Sequence, residues 1–469
     1  MAKNKGLLFP VYSLPGKYGI GDFGKEAYKL VDIIKEAGFD YWQLLPLNPI
    51  SYGHSPYMAF SSYAIEELYV SLDDLVDRGY LKRKPSTLEC TNKVDYEKAL
   101  EFKSPYYKKA YDKFVSEGGY EVLDEFTSDF PEILEYARFV SRKELFNHAP
   151  WNTWEEIKTL KYQERVNYHL FLQYILLDEW NKLHEYCNKK GIKVIGDVPF
   201  YVGYDSAEVF YNREDFLLDE KGNSTFVAGV APDVFSDLGQ RWGNPIYNFE
   251  HMKKNGYKLI IDRLLYASEL YDIVRIDHFR AFDTYYVIPA QYDDARIGEW
   301  KLGPAYDLFD KLFEQAPDMK IIAEDLGDLR PEVLELRDHY NLPGMNILEF
   351  TIWDWMKDKE GYKKTLKPNC IGYIGTHDNE TVNGWLSNRT AEEVSRLNEF
   401  FGHPESIEDA MIKFGMDNFE TFIIAAQDVL HLPAETRINT PSTVNDINWT
   451  YRFKTLDDLA KALKKDIYR

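Results

Sequence analysis

At 469 residues, with 45% hydrophobic and 28% charged side chains, the chain is globular and long enough for a large core with insertions. Its formal net charge of −21 argues against nucleic acid and anionic membranes, which want a basic face, and suits a neutral substrate. No apolar run has membrane-spanning length. The opening MAKNKGLLFPVYSLPGKYGIGDFG lacks the apolar core of a signal peptide. Cys90, Cys187 and Cys370 are odd in number and far apart, without a C-x-x-C, so the expected location is a reducing cytoplasm.

Gly6–Val11 reads as a first strand. Phe23, Ala27, Leu30, Val31 and Ile34 follow at helical spacing, and Gly38 stops that helix. Tyr41–Pro46 reads as the second strand. A long helix from about Val166 to Lys190 leads into a third at Ile192–Val202. Ile273–Arg280, Lys320–Gly327, Met345–Phe350 and Ile371–Asp378 continue the series, with helices at Ala305–Ala316 and Ile407–Val429.

Buried runs alternating with helices imply a parallel sheet. Over this length they predict an α/β fold, a (β/α)₈ TIM barrel, against a doubly wound sheet as competitor. No G-x-G-x-x-G turn follows an early strand; GIGDFG at 19–24 fails the pattern. Polar and acidic residues sit at the C-terminal ends of several strands, where barrels carry chemistry. The chain is expected to be a single catalytic barrel over 1–469. It would carry a helical insertion at about 50–165, after strand 2, and an active-site loop region at 203–250, after strand 3. Val227–Tyr247 shows neither helical nor strand period, and its Gly229, Gly239 and Gly243 would let it close as a lid.

Three acids end apolar runs: Asp277 in IVRID, Glu324 in KIIAED and Asp378 in IGYIGTHD. A strand points Arg275 to the same side as Asp277, and a guanidinium there holds a carboxylate ionised. Glycoside cleavage needs such a set. One carboxylate attacks the anomeric carbon while a protonated partner, in retaining enzymes about 5–5.5 Å away, protonates the leaving oxygen. Asp277 suits the nucleophile, Glu324 the acid, and Asp378 a hydrogen bond to sugar hydroxyls. His278 and His377, as neutral imidazoles, could donate to the same hydroxyls or be structural. A metal site is the rival reading of these residues, disfavoured by the absence of H-E-x-x-H or other ligand spacing. Asp197, in IGDVPFYV, braces the site or caps a loop. Tyr57 and Trp242 are stacking platforms or ordinary packing, in a chain that is 16% aromatic.

The motifs resemble those of the amylomaltases, or disproportionating enzymes: the 4-α-glucanotransferases of glycoside hydrolase family seventy-seven, in the α-amylase superfamily. The markers run nearly end to end. They are YGIGDFG at 18–24, WQLLPLNP at 42–49, SPY at 55–57, GDVPFYV at 196–202 and PDVFSDLGQRWGNPIY at 232–247, then VRIDHFRAF at 274–282, AEDLG at 323–327, GTHDNET at 375–381 and RINTPST at 437–443. The resemblance implies Asp277 as nucleophile, Glu324 as acid/base and Asp378 as transition-state stabiliser. It implies Arg275 and His377 as substrate-site residues, Asp197 as part of the superfamily's first conserved strand, and Tyr57 and the loop around Trp242 as glucan-contacting segments; Asp325 and His278, beside the acids, complete the candidate substrate-binding set. It further implies α-1,4-glucans and maltooligosaccharides as partners, and no metal or cofactor. Two departures stand out: Ile65-Glu66-Glu67 where a Gly-Asn-Pro-like turn is frequent, and Ser442 where glycine is usual. The carboxylates alone do not separate a transferase from an α-glucan hydrolase; only the resemblance does. A catalytically dead glycan-binding protein is disfavoured because each expected acid is present.

Overall fold

The structure, a computed structural model, describes residues 3–88, 91–157, 159–232 and 236–468; Cys90 and part of the Val227–Tyr247 segment lie outside them. Eight parallel strands form a nearly closed barrel: β1 Asn4–Leu8, β2 Tyr41–Gln43, β3 Lys193–Val198, β4 Ile273–Ile276, β5 Ile321–Ala323, β6 Met345–Ile347, β7 Ile371–Tyr373 and β8 Thr421–Ala425. Ladder bonds run in the order β6-β7-β8-β1-β2-β3-β4-β5. The seam between β5 and β6 is held differently. Ala323 N–H donates to the Pro343 carbonyl at 2.9 Å, and Met345 N–H to Asp325 Oδ1 at 2.7 Å.

Helices pack outside the strands for the reason their periodicity gives. In Lys25–Glu36 the side chains of Ala27, Leu30, Val31 and Ile34 are buried together, and Gly38 takes φ 72° just past its end. Trp42 and Trp180 are fully buried. Their indole N–H groups donate to the carbonyls of Phe9 and Leu270 at 2.9 and 3.1 Å. Between β2 and β3 the chain forms helices at Leu72–Asp77, Tyr96–Ser116, Gly119–Asp129, Pro131–Leu145 and Leu160–Lys189.

Three sequence expectations need correction. The first strand ends at Leu8 rather than Val11, because Pro10 has no N–H for the ladder and the chain turns into a short 3₁₀ segment at Val11–Ser13. The helix expected at Ile407–Val429 is interrupted: it stops at Asn418, and Thr421–Ala425 is the buried strand β8, paired with β7 and β1. The Val227–Tyr247 segment is not wholly irregular. Phe226–Val230 pairs antiparallel with Gln240–Pro245 and with Thr284–Pro289, which pairs with Glu299–Leu302. The resulting four-stranded side sheet flanks the barrel rim. Its strand signal was hidden by a register shift between Val227 and Gly229, and by Gly243 at φ 84° inside Gln240–Pro245.

Candidate active site

The barrel register builds the site. Asp197 of β3 and Arg275 of β4 are ladder partners, so their side chains emerge on the same side. Arg275 donates through one nitrogen to both oxygens of Asp197 (2.8 and 2.7 Å) and through the other to Asp277 Oδ1 (3.0 Å). Burial opposes the Arg275 charge, but Asp197 and Asp277 outweigh it and raise its pKa further. One buried cation thereby orients the carboxylate just past β4. Asp197 itself is 1% exposed, with Arg275 and the Tyr57 hydroxyl (2.7 Å) on its oxygens. It braces the site from below.

Glu324 follows β5. Its oxygens accept the backbone N–H groups of His278 (2.7 Å) and Leu326 (3.0 Å). Burial, and then the neighbouring negative charge of Asp277, push its carboxyl up to about 8. The carboxyl therefore holds its proton at neutral pH beside a carboxylate tied to arginine. Two acids with opposed environments are the arrangement that separates an acid from a nucleophile.

Asp378 follows β7, and its side chain is 43% exposed. Asn439 Nδ2 donates to its Oδ1 at 2.7 Å, and His377 Nε2 lies 3.3 Å from that oxygen. The His377 ring stacks on Tyr57 with centroids 4.9 Å apart and planes 13° apart. The Tyr57 ring face is thus used inside the protein, with Trp449 tilted against it at 5.7 Å. Across the opening, Trp242 stands edge-on to His278, centroids 4.8 Å apart at 87°. Burial lowers the His278 pKa to about 4, so the ring is neutral. Asp277, Asp378, His377, Tyr57, Trp242 and His278 all line one open cleft of ≈ 420 Å³.

A model of glycoside hydrolase family 77, described as 4-alpha-glucanotransferase, matches residues 9–458. The chain belongs to this family. A 4-alpha-glucanotransferase from Streptococcus pneumoniae serotype 4 is 38% identical over 490 residues, covering 99% of this chain and 96% of its own. One from Clostridium butyricum is 38% identical over 483 residues, covering 98% of each. The amylomaltase from Streptococcus agalactiae, solved in complex with acarbose, superposes with a TM-score of 0.94 at 34% identity, covering 99% of each chain.

In this family member, one expected site residue faces elsewhere. The Asp325 side chain is 4% exposed, ion-paired with Arg337 and bonded to Met345 N–H at the β5–β6 seam. It closes the barrel rather than lining the cleft. Both residues follow β5 but their carboxyls take different partners, the His278 and Leu326 N–H groups for Glu324 and Arg337 with Met345 N–H for Asp325. Sequence reasoning also passed over other residues of the cleft lining, among them Asn439 and Trp449, which contact the predicted site residues. Asn439 lay within the RINTPST marker, and its amide, two residues past Arg437, was the available signal. Arg437 donates to the Asp378 carbonyl at 2.9 Å and to the Asn439 carbonyl at 2.7 Å, so the segment grips the Asp378 backbone as well. Among the described residues, no three His, Cys, Asp or Glu side chains form a group that could hold a metal ion.

Proposed function

We propose that this chain is a retaining 4-α-glucanotransferase that moves segments of α-1,4-glucan to the 4-hydroxyl of an acceptor sugar. The observation carrying this reading is the pairing of Asp277, held by Arg275, with Glu324, whose carboxyl is pushed up to about 8. Asp277 attacks the anomeric carbon of a bound maltooligosaccharide. Glu324 gives its proton to the departing 4-oxygen, and the reducing-end fragment leaves. The result is a glycosyl ester on Asp277. Glu324, now ionised, takes the proton of the incoming 4-hydroxyl. That oxygen attacks the same carbon and frees Asp277. One glycosidic bond is broken and one formed, so reducing ends are conserved.

Asp378, His377 and Asn439 are assigned to the sugar hydroxyls at the reacting ring, and Trp242 and His278 to the opposite wall. Asp197 and Tyr57 act through Arg275 and His377. We assign residues 1–469 to one catalytic barrel with insertions at about 50–165 and 203–250. Two buried thiols, Cys187 and Cys370, fit a cytoplasmic setting. Among the described residues, no helix is long and apolar enough to cross a membrane.

The test is incubation with maltotriose while product lengths and free reducing ends are followed together. A ladder of longer maltooligosaccharides plus glucose, at constant reducing ends, supports transfer. Shortening with rising reducing ends means an α-glucan hydrolase, and binding without reaction means a glycan-binding protein.

A further inference from the structure

Ser442 stands at the exposed tip of the loop that carries Asn439, with its backbone at φ 59°. That left-handed conformation is free to glycine and strained for a residue with a Cβ. No burial at this tip asks for a side chain. The hydroxyl has a specific use: Ser442 Oγ donates to Gln240 Oε1 at 2.8 Å, across 202 positions of sequence. The same oxygen accepts the Trp242 indole N–H at 3.0 Å.

The clasp joins the two walls of the cleft. On one side the loop is rigid: buried Asn448 accepts Thr440 N–H at 3.0 Å and donates to the Thr443 carbonyl at 3.0 Å. On the other, Gln240 and Trp242 belong to the side-sheet strand Gln240–Pro245. Trp242 meets the ring of His278, whose backbone N–H donates to Glu324. The clasped wall is therefore on the Glu324 side. Glu324 must exchange its proton with the leaving and the incoming 4-oxygen, so the acceptor sugar sits there too.

We infer that Ser442 is a positioning residue: by fixing Gln240 and Trp242 it holds the acceptor wall closed, so that a sugar rather than water reaches the glycosyl-enzyme. The inference rests on the transfer reading above. An indole held at its N–H by a fixed acceptor offers a sugar a pre-ordered face. Released, it leaves room for water beside the ester.

The experiment compares wild type, Ser442→Ala, Ser442→Gly and Ser442→Asn on maltotriose. Longer oligosaccharides report transfer, new reducing ends report hydrolysis, and acceptor KM is measured with added glucose. Ala keeps the strain and removes the hydroxyl, Gly removes both, and Asn tolerates positive φ and keeps a donor. For Ala and Gly we expect the hydrolysis share and acceptor KM to rise about 3–10-fold, with donor cleavage within about twofold, as for one lost polar contact in a water-excluding site. Gly should not lower Tm, which separates the effect from misfolding. Asn should stay near wild type. If wild type transfers and Ala and Gly keep its hydrolysis share and acceptor KM, the clasp is overturned. If wild type shows no transfer, the functional reading fails first and takes the clasp with it.

Discussion

At the residue scale the site depends on one buried guanidinium. Arg275 satisfies Asp197 and Asp277 together, through bonds whose fork geometry lysine does not have. Arg275→Lys should lower kcat/KM on maltotriose by on the order of 10²-fold while the chain still folds. The pH dependence follows from Glu324. Its folded pKa is raised from 4.5 to about 8 by burial and by Asp277. The catalytic proton is then present below about 8 and lost as pH rises through it, so kcat/KM should fall on an alkaline limb near that value. The stability term has the same sign. The group's contribution is fully present below 4.5 and declines as pH rises toward 8. Thermal melts of Glu324→Gln should therefore gain on wild type as the buffer moves from acid to alkaline. The three acids stood out in the sequence because each ends an apolar run; that signal alone does not assign a role, since Asp325 ends the same run as Glu324 and is spent on Arg337 and Met345 N–H. Asn439 and Trp449 did not stand out, because they lie in a loop whose shape is set by side-chain bonds rather than by a period.

At the element scale, the long helix Leu160–Lys189 is pinned by a buried imidazole. His169 is 4% exposed, with Glu67 at 2.7 Å on one nitrogen and Glu144 at 3.3 Å from the other. Burial alone would lower its pKa; the two carboxylates outweigh that and raise it to about 9. The contribution is fully present below 6.5 and lost as pH rises through about 9. His169→Gln should cost roughly 1–3 kcal/mol at neutral pH, since half-buried Glu67 loses its cation while Glu144 keeps Arg165. Melts at increasing pH should show the gap from wild type narrowing, and a constant gap would contradict the ion-pair account. The same region explains the Ile65-Glu66-Glu67 departure. Glu66 is 6% exposed and accepts Ile50 N–H (2.9 Å) and Leu68 N–H (3.0 Å), while Glu67 receives His169. Strand β8 was missed for a physical reason too. The break DNFET carries no Gly or Pro, and the apolar FIIAA beyond it keeps a helical spacing that only pairing with β7 and β1 overrides.

At the scale of the whole molecule, the alternation of short buried runs and amphipathic helices was enough to predict a parallel barrel. It could not reveal that β5 and β6 meet through one backbone bond, Ala323 N–H to the Pro343 carbonyl, and through the Asp325 carboxylate on Met345 N–H, with Arg337 holding that carboxylate, because the join depends on a side chain reaching backbone across the seam. Asp325→Ala should leave the buried Arg337 with one partner fewer and an unpaired Met345 N–H. We expect a loss of about 2–5 kcal/mol in stability, with activity well below the melting temperature within a few-fold of wild type. A large loss of kcat at full stability would put Asp325 in the cleft instead.

The glycosyl-enzyme proposed on Asp277 is covalent and can therefore be trapped. In Glu324→Gln, an α-maltosyl fluoride donor needs no acid to depart, so the first step proceeds while the second lacks its base. Mass spectrometry of proteolytic peptides should then find a maltosyl adduct on the peptide containing Asp277, absent from Asp277→Asn. Fluoride release without any adduct, or an adduct on another carboxylate, would contradict the account.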